Sequence, residues 1–68
     1  MYNSNQLLVI KEMVDNDIRL FELDINIKSG SFAAKPLGER GLLRKQAFIM
    51  AALSDVLRAR IHLFEVKQ

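Results

Sequence analysis

The clearest pattern in the chain is an alternation. Across residues 18–28, IRLFELDINIK, Phe21, Leu23, Ile25 and Ile27 occupy one set of positions, and Glu22, Asp24, Asn26 and Lys28 occupy the other. A period of two is that of a half-buried strand, and Ser29, Gly30 and Ser31 follow it with turn chemistry. Upstream, residues 6–14 (QLLVIKEMV) fit two elements. As a helix they put Leu7, Ile10 and Val14 on one face, with Leu8 and Val9 spoiling the polar side. As a strand, a turn at Asp15 and Asn16 sets Ile10 opposite Phe21, Leu8 opposite Leu23 and Glu12 opposite Arg19, so cross-strand partners match in character. That matching favours a hairpin, although Asp-Asn is a weaker hairpin turn than Asn-Gly.

The period changes in the second half. Residues 32–38 (FAAKPLG) read as a linker, because Pro36 disfavours helix at Lys35. Gly38 and Gly41 weaken the first turn that follows, which places a firm helix start between Leu37 and Leu42 and an end near Leu63. The closing HLFEVKQ is free to fray or turn extended. Two apolar stripes run side by side along this helix. One is Leu42, Ile49, Val56 and Leu63, with Leu53 between its turns; the other is Leu43, Met50, Leu57 and Phe64, with Ala47 and Ile61. One stripe suffices to cover one core, so two stripes imply two burial tasks: the inner face of the sheet, and a second copy of the chain. Gln46 and Arg60 interrupt the first stripe, so it is no continuous zipper. The alternative is that both stripes fill one wide monomer core. The predicted fold class is therefore α+β: a β-hairpin, or an N-terminal helix plus one strand, packed on a long C-terminal helix. It forms a single domain over residues 1–68 and a homodimer through Leu42, Ile49, Leu53, Val56 and Leu63.

Composition sharpens the expectation of self-association. The chain has 68 residues, 50% of them hydrophobic, and lacks Cys and Trp. A body this small buries only about 60% of the surface its unfolded chain exposes, and no disulfide or thiolate metal site can brace it. The net charge is +2, split as −1 over residues 1–36 and +3 over residues 37–68, so the chain is polarised without being a polycation. There is no run of the ~20 apolar residues a membrane span needs, and MYNSNQ does not begin like a signal peptide. Together these features predict a cytoplasmic protein, bacterial or phage in origin.

Little catalytic chemistry is on offer. His62 is the sole histidine, seven residues from Asp55, and Ser54 beside Asp55 points elsewhere, so no catalytic triad assembles on one helix. Glu22 and Asp24 share a face, but no enclosed cleft accompanies them to raise one pKa. No glycine-rich phosphate loop occurs. An enzyme is not expected, and neither a cofactor nor a metal is implied. Binding is the better-supported class. Arg44, Asp55, Arg58, His62 and Glu65 fall within one arc of the long helix, with Phe48 beside it. An aromatic flanked by cations can anchor a partner protein, and an exposed strand edge near Glu22 and Asp24 can pair with a partner's sheet. The candidate partner-binding residues are thus Phe48, Arg44, Arg58, Glu22 and Asp24; the competing reading packs Phe48 under the hairpin or the linker. Arg40, Arg44 and Lys45 sit near the helix N-terminus, where the macrodipole favours anions. A small dimeric DNA-binding transcriptional regulator is the alternative class. A ribbon that inserts into the major groove would present Glu22 and Asp24 to phosphate, which opposes binding.

Three segments together carry a family likeness. FEL at residues 21–23, ERGLLRK at residues 39–45 and VLRARIHL at residues 56–63, in this order over residues 20–63, resemble the DicB-like prophage cell-division inhibitors. The resemblance implies a cytoplasmic, phage-derived adaptor that recruits the division inhibitor MinC and so blocks assembly of the FtsZ ring. It assigns no contact residue to this chain.

Overall fold

In the computed structural model, which describes residues 1–66, every regular element is a helix. α1 spans Ser4–Ile27, α2 is a single turn at Gly30–Ala33, and α3 spans Leu37–Val66. α1 and α3 lie antiparallel along each other and α2 closes one end, giving a helical hairpin of 51 × 14 × 14 Å.

The predicted α+β class is therefore wrong. Neither the hairpin of residues 6–14 and 18–28 nor its single-strand variant forms, and the described residues contain no strand. The reason lies in helix geometry. Two residues advance a helix by about 200°, so apolar residues at every second position land on nearly opposite faces. In α1, Leu23 and Ile27 continue a 3–4 spaced row of half-buried or buried residues, Val9, Met13, Asn16 and Leu20, that faces α3. Phe21 and Ile25 belong to a second row, with Val14 and Ile18, that stays exposed. Two interleaved helical rows thus imitate one strand.

Local chemistry supports the helix from its first residue. The Asn3 side chain accepts the Gln6 backbone N–H at 2.8 Å, and the Gln6 side chain accepts the Asn3 N–H at 2.9 Å, a reciprocal capping box. Lys11–Asp15 at 2.6 Å and Asp24–Lys28 at 2.8 Å are ion pairs one turn apart. After Ile27, the Ser29 hydroxyl donates to the Asn26 carbonyl at 2.6 Å, and the chain turns.

The supposed linker is partly ordered. Phe32 in α2 is 3% exposed, and the Arg44 guanidinium lies 5.0 Å from its ring centroid, a cation–π contact that ties α2 to α3. Pro36 immediately precedes α3, whose start falls in the expected window. The helix then runs straight through Gly38 and Gly41. It continues to Val66, past the expected end, so the closing segment is helical as far as it is described; Lys67 and Gln68 lie outside the described residues.

Of the two stripes on α3, the one containing Leu43, Ala47, Met50, Leu57, Ile61 and Phe64 meets α1. Its 3–4 spacing matches the spacing on α1, the pattern of helices packed by interlocking side chains. There is no sheet for either stripe to cover; α1 does that work for one. Tyr2 and Phe64 close the open end edge to face, with ring centroids 6.3 Å apart. The other stripe, Leu42, Ile49, Leu53, Val56 and Leu63, is left 38–67% exposed. The hydrophobic core is correspondingly thin: only Phe32 and Leu57 are fully buried apolar residues among those described.

Candidate functional site

At the middle of the seam sits a polar cluster that sequence reasoning missed. Asn16, 8% exposed, donates through Nδ2 to the Met50 carbonyl and to Ser54 Oγ, both at 2.8 Å. Ser54, 2% exposed, donates to Asp17 Oδ1 at 2.5 Å, and Arg58 Nη2 donates to Asp17 Oδ2 at 2.7 Å. Asp15 and Asn16, which read as a turn, are thus mid-helix residues, as is Asp17 after them, and Asn16 and Asp17 clasp α3. A buried amide at one seam position fixes register at some cost in stability. The available signal was the heptad spacing itself: Asn16 and Ser54 each occupy a seam position between apolar neighbours.

Two outer faces flank the seam. On one, Phe21, Phe48, Leu20, Ala47 and Ala51 line an open groove of about 640 Å³, with Asp17, Asp24 and Arg58 at its rim. Phe48 is 75% exposed and Phe21 66%, so Phe48 is not packed under another element. The structure therefore brings Phe48, Arg58 and Asp24 together. Arg44 lies one turn from Phe48 on α3, where it stacks on Phe32. Glu22 is apart from them, in a smaller groove of about 370 Å³ on the opposite face with Arg19, Leu23, Asn26, Lys35, Glu39 and Leu43. The expected strand edge at Glu22 and Asp24 does not exist, because both lie on α1.

Electrostatics on these faces is mostly satisfied. Arg58 pairs across the seam with Asp17. Lys35 reaches Glu39 at 3.7 Å. The Lys11 ammonium, by hydrogen bond and by charge, holds the Asp15 carboxyl below its ordinary value. Arg40 Nε is buried without a hydrogen-bond partner. His62 is exposed and shares a groove with Tyr2, Ile10, Met13, Arg58 and Ile61. Among the described residues, no group of three or more His, Cys, Asp or Glu side chains is placed to hold a metal ion, and no helix is long and apolar enough to cross a membrane.

A short rod with a locked seam and apolar side chains on both outer faces is a scaffold for presenting surface, the architecture of a small helical binding protein. The Sequestin family model matches residues 3–63, nearly the whole hairpin, and the chain belongs to the Sequestin family, which is made up of small phage-type proteins. That membership fits a small regulatory protein-binding factor. No curated protein and no solved structure matches the chain.

Proposed function

We propose that this protein is a non-catalytic regulatory factor that binds a host protein and redirects or inhibits it, holding the partner in the groove between Phe21 and Phe48. The observation that carries this reading is Phe48 itself, three-quarters exposed beside a groove floored by Leu20, Ala47 and Ala51. An aromatic offers large contact area and loses few rotamers on binding, which is why such residues dominate interface energetics. Asp17, Asp24 and Arg58 at the rim supply both signs of charge to orient what docks. An amphipathic helix of a partner fits a groove of this kind.

The experiment is capture of host proteins by the wild type and by Phe48→Ala. Capture is lost in the variant, while far-UV circular dichroism and melting temperature stay nearly unchanged. A collapse of the fold would instead make Phe48 structural. Purified MinC is the first partner to titrate, because residues 39–45 and 56–63, the helical segments of the DicB likeness, remain helical. The strand segment of that likeness, at residues 21–23, is helical here. Binding to duplex DNA that weakens steeply between low and moderate salt would favour the transcriptional-regulator reading instead.

A further inference from the structure

We propose that the exposed stripe of α3 is the docking site for a second copy of this chain, with the two α3 helices antiparallel about a two-fold axis between Ala52 and Leu53. This inference concerns the face opposite the Phe48 groove and stands independently of the host-partner reading.

The first support is area. The chain exposes 5220 Å², whereas a folded monomer of its 7.8 kDa exposes about 4,400 Å² by the usual scaling. The surplus, about 800 Å², is what each partner contributes to an interface of standard size. Shape agrees: the radius of gyration is 15.4 Å, against about 11 Å for a compact chain of this length. A two-helix rod is one helix layer thick, and laying α3 on α3 doubles the layers.

The second support is self-complementarity. A two-fold interface must match itself after a half-turn, residue i meeting j and j meeting i. In an antiparallel pair centred between Ala52 and Leu53, Leu42 meets the partner's Leu63 and Ile49 meets the partner's Val56. The apolar positions of the stripe are therefore symmetric about its own midpoint. The small side chain of Ala52 at that midpoint lets the helices approach closely. The chemistry also suits a permanent contact: this stripe is aliphatic, as obligate interfaces are, while the groove face mixes aromatic and charged residues.

The same register has one unfavourable consequence, and it is diagnostic. Arg60, in the stripe's outer part, comes level with the partner's Lys45, twice over by symmetry. Their stems can lie on the apolar face with both heads in water, but the like charges repel. A charge reversal at Arg60 therefore strengthens this dimer at low salt, both by pairing with the partner's Lys45 and by lowering the repulsion between two chains of net charge +2.

The test uses the full chain. Sedimentation equilibrium of the wild type at micromolar concentration gives twice the 7.8 kDa chain mass. Arg60→Glu lowers the dimer dissociation constant several-fold at low salt, and the gain shrinks as salt rises. Because the chain has no cysteine, single cysteines report the geometry cleanly. Ala52→Cys is cross-linked by a short bis-maleimide in dilute solution. Val14→Cys, on the exposed row of α1, is not; both sites are exposed, so neither variant disturbs the fold. A monomer at these concentrations overturns the proposal. So does efficient cross-linking through Val14→Cys in place of Ala52→Cys, or a dimer that Arg60→Glu weakens.

Discussion

Leu57 and Val56 are neighbours on α3, both aliphatic, yet one is 1% exposed and the other 55%. Each stands for its stripe. Leu57 belongs to the row along which α1 lies; Val56 belongs to the row that faces outward. Nothing in the two residues themselves decides this. α1 also carries two apolar rows, and a hairpin of two helices has only one seam, so each helix is left with a row to spare. Apolar patterning therefore counts the faces a helix can bury and does not say which partner buries them.

The comparison breaks most visibly by truncation. Leu57→Ala lowers the unfolding free energy by about 2–5 kcal/mol, the usual range for a buried leucine. Val56→Ala changes it by no more than about 0.5 kcal/mol in solutions dilute enough to hold single chains. Urea denaturation of both variants measures the contrast, and equal losses would erase the distinction between the rows. A smaller effect tests whether the covered row depends on its polar centre. Ser54→Ala removes the hydroxyl that stands between Asn16 and Asp17, and costs about 1–3 kcal/mol by leaving a buried amide and a carboxylate oxygen short of partners. A neutral result in the same assay would mean that apolar contacts alone hold the seam.

The smallest effect lies on the outer side of α1. Lys11 keeps the Asp15 carboxyl below its ordinary value of 3.8. A lowered folded-state pKa means that the contribution is present above pH 3.8 and is lost as pH falls through the folded value. Both side chains are largely in water, so the loss is slight. Denaturation midpoints of the wild type and Asp15→Asn converge as the solution is acidified. A gap that persists at every pH would assign the difference to something other than this ion pair.

How far the sequence disclosed the molecule differs between its halves for physical reasons. α3 was legible because Pro36 marks its start and its apolar residues recur at helical spacing. α1 was not, because its two rows are offset by two residues and so reproduce a strand's alternation at Phe21, Leu23, Ile25 and Ile27. Asp15, Asn16 and Asp17 reinforced the error: they are weak helix formers that favour turns, and contacts with Met50, Ser54 and Arg58 support the helical placement of Asn16 and Asp17. A local reading cannot weigh partners more than thirty residues away. The capping box at Asn3 and Gln6 was a local signal for the correct answer. At the candidate site, Phe48, Arg58 and Asp24 were found individually, but their meeting depends on a helix pairing that the hairpin reading could not supply. Glu22 was assigned to that surface by strand logic and lies on another.

The amide of Asn16 also governs what the molecule shows to the outside. Leucines and isoleucines facing one another would tolerate a slide of the helices by seven residues; Asn16 would then face Ala47 or Ile61 in place of Ser54 and keep at most a backbone carbonyl as acceptor. The hairpin thus has a single resting alignment, and in that alignment Phe21 and Phe48 line one groove. Damage at Asn16 would misplace a surface it never touches, so loss of recognition can originate in the interior of the rod.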